Sequence, residues 1–122
     1  MAYNSPSYHI IEYLIDQRVA VHVYSGNRDT VVPHTGTELT LANTTWGGKQ
    51  GFQKPMDSMY FDADGKQAGT FGIERGLSYH LFFDAPHQVA QVQPAASLQW
   101  LKEFILKPDL NWQYEVEHEG TP

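Results

Sequence analysis

Two polar side chains in this sequence could act together as a catalytic acid–base pair. Asp29 lies in a loop that follows the strand-like run Val19–Tyr24, and His87 lies in a loop that follows a later strand-like run. A carboxylate can orient an imidazole and stabilise its cation. Histidine is the usual general base because its ordinary pKa is near neutrality. Taken singly, Asp29 could instead be a turn residue that bonds local backbone, and His87 an ordinary surface histidine.

The chain order of the two residues favours the catalytic interpretation. In α/β-hydrolases an acid follows one strand, the histidine follows a later strand, and the nucleophile comes earlier than both. The sequence has no Gly-x-Ser-x-Gly motif, and Ser25, although followed by Gly26, shares the loop of Asp29 and has no strand-to-helix elbow. The oxyanion donors of such an elbow, typically worth about 3 to 4 kcal/mol each, are therefore missing too. We expect this chain alone to be nearly inert, with the nucleophilic serine on another chain or segment.

The elements that must position these two loops alternate between helices and strands. Hydrophobic spacing and turn residues predict helices over Ser7–Arg18, Thr35–Asn43 and Pro94–Leu106, and strands over Val19–Tyr24, Ser58–Asp62, Gln67–Ile73 and Ser78–Phe83. The Asp-Gly pair at Asp64 and Gly65 indicates a β-hairpin, and Asn43–Pro55 is predicted to be a loop. This order predicts an α/β fold, namely the C-terminal part of an α/β-hydrolase sheet with flanking helices and a hairpin.

The predicted sheet has too few strands to pair both sides of its parallel strand. Val19–Tyr24 is rich in β-branched residues and does not alternate cleanly, which is typical of a strand covered on both faces in a parallel sheet. Three or four strands would leave an apolar edge open, which natural proteins avoid. We therefore assign residues 1–107 to part of a larger hydrolase-like sheet, and residues 108–122 to an acidic tail with a frayed end.

The composition excludes several classes of function. Acidic residues outnumber basic ones by 14 to 8 and the net charge is -6, so no nucleic acid or anionic membrane partner is expected. There is no cysteine, which excludes disulfide scaffolds and thiol catalysis. The histidines show no metal-ligand spacing, so neither a metal nor another cofactor is expected. Met1–Ser7 show no targeting signal, and Asn43 begins an Asn-Thr-Thr sequon for N-glycosylation.

From about Tyr8 to Leu106 the sequence resembles the serine carboxypeptidases, a family of α/β-hydrolases. The residues that match the family's ordered motifs are Tyr24, Ser25, Gly26, Asp29, Pro33, Trp46, Gly48, Phe52, Ala68, Gly69, Ala85, His87, Val89 and Pro94, with Leu98, Phe104 and Ile105 in the last helix. The resemblance implies that Asp29 is the triad acid and His87 the triad base. It also implies a secreted or vacuolar/lysosomal peptidase that removes C-terminal residues from peptides through an acyl-enzyme. Its serine would lie on an N-terminal chain or segment, the implied partner.

Several residues depart from the family pattern. Asn27 replaces an aspartate, Asp84 and Pro86 replace glycines, and Ala90 replaces a proline. Proline cannot adopt the positive φ that a glycine permits, so we expect either that His87 is displaced or that its loop has re-formed. Two alternatives follow: a non-catalytic relic or binding domain of the same fold, and an esterase or acyltransferase that uses the same acid and base. The upstream sequence would distinguish them.

Overall fold

Helices and strands in mixed order, together with a small hairpin, carry the two loops. The computed structural model describes residues 9–60 and 65–117. The strands are β1 (Val21–Gly26), β2 (Thr45–Trp46), β3 (Lys49–Gln50), β4 (Asp57–Tyr60), β5 (Gln67–Glu74) and β6 (Leu77–Phe82). The helices are α1 (Ile10–Asp16), α2 (His34–Ala42), α3 (Val89–Val92), α4 (Pro94–Trp100) and α5 (Leu110–Glu117), and a π-helical turn, Leu101–Ile105, continues α4.

The four longer strands form one sheet in the order β1-β6-β5-β4. β1 runs parallel to β6, with Val21 opposite Leu77 and Gly26 opposite Phe82. β5 is antiparallel to both β6 and β4. Because β1 and β6 are parallel neighbours, their carboxyl ends lie side by side. The loops that follow these two strands therefore emerge next to each other.

β1 lies at the edge of this sheet within the described residues. Its β-branched run predicted a parallel strand, and the parallel pairing with β6 confirms that prediction. Among residues 9–60 and 65–117 no strand pairs with its other side. Val19 and Tyr24, just before and within this strand, keep 45% and 49% of their surface exposed. The open apolar edge that the sequence predicts is therefore present.

Two hydrophobic clusters cover the two faces of the sheet. One cluster packs under α4, the π-helical turn and α5 and consists of Met59, Phe71, Ile73, Phe82, Ala85, Val89 and Phe104. The other packs under α1 and α2 and consists of Ile15, Leu41, Trp46, Leu77 and Tyr79. Successive residues of β6 contribute to opposite clusters, as the period of two in a strand requires. The mixed α/β architecture expected from the sequence is confirmed.

The segment Asn43–Pro55, predicted to be a loop, contains the short hairpin of β2 and β3. The buried Glu74 fixes this segment, because its carboxylate accepts hydrogen bonds from the backbone N–H groups of Gln53 and Lys54. Arg75 donates to the carbonyl oxygens of Trp46 and Gly51, and its guanidinium lies 4.3 Å above the Trp46 ring. These contacts are non-local, which is why local sequence patterns predict no regular structure in this segment.

The expectation of a frayed end after Pro108 is wrong for residues 110–117. These residues form α5, in which Asn111 is 1% exposed and donates to the carbonyl oxygens of Gly76 and Val21. Trp112 packs on Gly76 and lies beneath the Arg18 guanidinium at 4.0 Å. The predicted helix start before His9 and the predicted turn at residues 62–64 lie outside the described residues.

Candidate active site

The turn after β1 holds Asp29 by its own backbone. One carboxylate oxygen of Asp29, Oδ1, accepts hydrogen bonds from the N–H groups of Val31 and Val32 at 2.8 and 2.9 Å. This is the local turn bonding that the alternative interpretation expects of an aspartate in such a loop. It leaves the second oxygen, Oδ2, free to serve another group. The side chain is 5% exposed, so the carboxylate is shielded from bulk water.

That second oxygen receives a hydrogen bond from His87. The Nδ1 atom of His87 lies 2.8 Å from Oδ2 of Asp29, so the predicted approach of the two side chains is confirmed. An ionised carboxylate only accepts hydrogen bonds, so the proton is on Nδ1 and the lone pair of a neutral ring is on Nε2. The His87 side chain is 53% exposed. The arrangement therefore presents a basic nitrogen outward from a ring that a buried carboxylate orients.

The expected displacement of His87 by Pro86 does not occur. The loop after β6 adopts its left-handed conformation at Asp84, whose φ is +55°, and not at the residue before His87. Asp and Asn tolerate this region better than other side chains. His87 therefore keeps its contact with Asp29 although Pro86 precedes it, and the expected displacement is wrong.

The pKa of Asp29 lies below its ordinary value. Burial acts to raise this pKa, but hydrogen bonds from the Val32 N–H, His87 and the Val31 N–H, together with the charge of His87, outweigh it. The carboxylate thus stays ionised at pH values where a free aspartate would begin to take up a proton. A group that must stabilise an imidazolium benefits from this property.

The two loops approach so closely that only glycine fits at the end of β1. A Cβ atom at Gly26 would lie 2.2 Å from the carbonyl oxygen of Ala85 and 2.4 Å from that of Pro86. Such distances are far inside van der Waals contact, so any larger residue would separate the loops. The sequence offered Gly26 only as part of a motif, whereas the structure shows that it sets the distance between the acid and base loops.

None of the serines in the described ranges hydrogen-bonds to His87. Ser25 is 6% exposed beside the acid loop, and Ser78 is fully buried within β6. Ser58 bonds to Gln67 on the far strands of the sheet, and Ser97 lies on α4. The described part of the chain therefore presents an oriented acid and base without a serine bonded to the base.

Two other histidines form a separate buried network. The Ser78 hydroxyl lies 2.6 Å from His22 Nδ1 and 2.9 Å from His80 Nε2. Burial, followed by the proximity of His22, lowers the pKa of His80 from 6.5 to about 3. Burial also lowers the pKa of His22. The prediction that these two strand histidines are packed and hydrogen-bonded is confirmed. Across residues 9–60 and 65–117 no three His, Asp or Glu side chains are grouped to hold a metal ion.

Asn43 lies exposed at the end of α2, where its side-chain amide donates to the carbonyl oxygen of Leu39 at 3.0 Å. Thr45 of the same sequon is also exposed. The glycosylation predicted from this sequon stays a prediction. Among the described residues no helix has the length and apolar character needed to cross a membrane.

Comparisons with known proteins agree on one family. The family model described as serine carboxypeptidase matches residues 2–107. A carboxypeptidase Y homolog of Arthroderma benhamiae is 40% identical over 106 residues, which are 84% of this chain and 20% of that protein. The pheromone-processing carboxypeptidase kex1 of Penicillium rubens is 32% identical over 106 residues, or 82% of this chain and 17% of its own length.

The fold has a counterpart among solved structures. The crystal structure of Kex1ΔP, a prohormone-processing carboxypeptidase from Saccharomyces cerevisiae, superposes with a TM-score of 0.69 at 19% sequence identity. The match covers 92% of this chain and 23% of the yeast chain. The chain thus spans roughly a fifth of the length of the proteins that it resembles.

Proposed function

The chain belongs to the serine carboxypeptidase family, and from that premise we propose that it supplies the acid and the base of a serine carboxypeptidase. Asp29 is the acid and His87 the base. The observation that carries this proposal is the 2.8 Å hydrogen bond from His87 Nδ1 to Asp29 Oδ2 at the carboxyl ends of two parallel strands. A non-catalytic domain of the same fold has no chemical need for a buried carboxylate directed at an exposed imidazole.

In the proposed reaction His87 acts first as base and then as acid. Its Nε2 takes the proton of a serine hydroxyl while the serine oxygen bonds to the carbonyl carbon of the substrate's last peptide bond. The imidazolium returns that proton to the departing amine, which leaves as the released C-terminal residue. Water then attacks the acyl-enzyme with the same proton transfers and frees the shortened peptide. Asp29 stabilises the imidazolium at both steps.

We propose that the serine lies on a segment outside residues 1–122, and that this segment belongs to the partner part of the same hydrolase. Two observations support this proposal. The relatives are roughly five times as long as the matched region, and the outer edge of β1 has no strand beside it in the described residues. An unpaired apolar edge strand is a site for further strand pairing. The proposed partner continues the sheet at this edge.

Native mass spectrometry of the protein isolated from its source tests this assembly. We expect the 122 residues in a larger species, as one longer polypeptide or as a complex with a second chain, and we expect a fluorophosphonate to label a serine outside these residues. The labelled species should release C-terminal residues from peptides. A lone 13.8 kDa species that takes no label would contradict the proposal and favour the non-catalytic alternative. Labelling together with ester but no peptide cleavage would favour the esterase or acyltransferase alternative.

The proposed setting is the secretory pathway or a vacuole, as the family resemblance implies. In that setting the exposed sequon at Asn43 is accessible to glycosylation. Treatment of the isolated protein with an N-glycosidase should then convert Asn43 to aspartate and remove the mass of one glycan from this region. An unmodified Asn43 in protein taken from the source would contradict this part of the proposal.

A further inference from the structure

The loop that carries His87 begins with a residue in a strained backbone conformation. Asp84 follows β6 by two positions and has a φ of +55°. This left-handed region is unfavourable for a residue with a Cβ atom, although Asp and Asn adopt it more readily than others. Three residues later the same loop must present His87 to Asp29. Any conformation in which Asp84 relaxes would redirect the loop and move the imidazole.

Asn27 holds this strained residue in place. The Oδ1 atom of Asn27 accepts a hydrogen bond from the Asp84 N–H at 2.8 Å, and the Asn27 N–H donates to the carbonyl oxygen of Phe82 at 2.9 Å. One residue of the acid loop therefore contacts the chain on both sides of Phe83. The next residue, Arg28, adds a bond from its N–H to the carbonyl oxygen of Ala85 at 2.9 Å.

The side-chain ion pair in the same place contributes much less. Arg28 Nη2 lies 2.9 Å from Asp84 Oδ1, but the two side chains are 70% and 57% exposed. Exposed pairs of this kind are worth little because water and salt screen them. The Asp84 backbone has two side-chain contacts, a long one of 3.4 Å from Gln93 Nε2 to its carbonyl oxygen and the short one of 2.8 Å from its N–H to Asn27 Oδ1. The shorter contact, to Asn27, is therefore the one that can fix this backbone. Asn27 and Asp84, two residues that depart from the family pattern, thus touch each other.

We propose that Asn27 is a positioning residue of the active site. By bonding the Asp84 N–H it keeps the His87 loop in the one conformation in which His87 meets Asp29. Asn27 and Asp29 then act together: Asn27 fixes the start of the base loop, and Asp29, two residues on, fixes the base. The proposal rests on the proposed function for its kinetic test, but not for its spectroscopic one.

The first test compares Asn27→Ala with Asn27→Asp in the intact protein. Asn27→Ala should weaken or abolish the low-field proton resonance of the His87 Nδ1–H. It should also lower kcat about tenfold, the usual scale for the loss of one hydrogen bond in a positioned network, with KM nearly unchanged. Asn27→Asp keeps an acceptor oxygen and should retain the resonance. Arg28→Ala is the control, and should change kcat by less than about twofold because its ion pair is exposed.

The second test removes the strain. Glycine adopts positive φ without cost, so in an Asp84→Gly background Asn27→Ala should lower kcat by no more than about threefold. An equal loss in both backgrounds, or an unchanged His87 resonance in Asn27→Ala, would overturn the proposal. If Asn27→Ala does not fold, Asn27→Ser replaces it, because its shorter side chain places the acceptor oxygen farther from Asp84. We expect the same loss of the His87 resonance and the same decrease in kcat. If the wild-type protein shows the resonance but no carboxypeptidase activity, the proposed function fails while the positioning role is still decided by the resonance.

Discussion

At the scale of single residues, Asp29 divides its two carboxylate oxygens between structure and chemistry. Oδ1 closes the turn through Val31 and Val32, and Oδ2 meets His87. The two interpretations that the sequence left open for this residue therefore hold together. A turn aspartate is a good orienting acid because the turn N–H groups fix its rotamer independently of the histidine.

Substitution of either partner should therefore lower turnover strongly. His87→Ala removes the base and should reduce kcat by several orders of magnitude. Asp29→Asn should reduce it by about 10⁴-fold, since an amide cannot hold the same tautomer of the ring or stabilise its cation. The measurement is the steady-state release of C-terminal residues by the intact protein, with its serine-bearing segment, and by its variants. His34→Ala, on α2, is the control, and activity that survives either active-site substitution would remove that residue from the mechanism.

Asp29 and His87 could be found in the sequence because each lies in the loop that follows a β-branched or aromatic strand, and the loops at strand ends collect functional residues. Asn27 could not be found in this way. Its role depends on the φ of Asp84, 57 positions away, and no local spacing encodes that angle. The sequence signal that did exist was the pair of departures from the family pattern at Asn27 and Asp84, which became informative only once the two residues were seen to touch.

At the scale of secondary structure, β6 carries a histidine that resists protonation. His80 is fully buried, contacts the rings of Phe71, Trp100 and Phe104, and bonds to Ser78. Its pKa is lowered to about 3. The folded state therefore favours the neutral ring, whereas the unfolded state binds a proton near the ordinary value of 6.5. Folding at acidic pH is opposed by this difference.

The lowered pKa of His80 should make the free energy of unfolding depend on pH. Above pH 6.5 the ring is neutral in both the folded and the unfolded state and adds no penalty. As the pH falls from 6.5 towards 3, the free energy of unfolding should decrease by up to about 1.4 kcal/mol per pH unit. Urea unfolding of the protein between pH 7 and 4 should show this slope, and His80→Phe should flatten it by about one proton. His34→Gln is the matched control on α2. A slope unchanged in His80→Phe would contradict the assignment.

The strands were easier to predict than the segments that cover them. The β-branched run Val19–Tyr24 predicts a strand. The observed strand β1, Val21–Gly26, differs from that prediction by two residues at each end. The acidic charge of Asp109–Pro122 predicts a frayed end and no helix, whereas α5 depends on contacts of Asn111 and Trp112 with a turn about 35 residues earlier in the chain. Non-local packing decided the structure there, and charge did not.

At the scale of the whole molecule, α5 packs against the end of the sheet opposite the candidate active site. In the turn between β5 and β6, the Gly76 carbonyl oxygen accepts a hydrogen bond from Asn111, and the Trp112 ring packs on Gly76. Glu115 accepts a hydrogen bond from the Arg75 N–H at 2.6 Å. Gly76 has a φ of +93°, and a Cβ atom there would lie 2.3 Å from the Trp112 ring. A residue with a Cβ atom at this position would therefore meet both backbone strain and direct overlap with Trp112.

Two glycine substitutions should therefore change stability in opposite directions. Gly76→Ala should lower the free energy of unfolding by about 2 kcal/mol or more, because it adds strain and displaces α5. Gly36→Ala, in α2, meets no atom within 4 Å and should raise it by about 0.5 to 1 kcal/mol. Thermal and urea unfolding of both variants make the comparison. Equal effects at the two positions would show that α5 does not depend on the turn.

The parallel pairing of β1 with β6 also has a consequence for how fast Asp29 and His87 can meet again after unfolding. Asp29 and His87 are 58 positions apart and meet only when these two strands have found each other. Contacts between residues so distant in the chain close long loops and form slowly compared with helices or hairpins. During refolding, helical circular dichroism should thus recover before the imidazole–carboxylate bond does. Because the bond between Asp29 and His87 depends on one of the chain's slowest contacts, the rate at which this bond returns reports the pairing of β1 with β6.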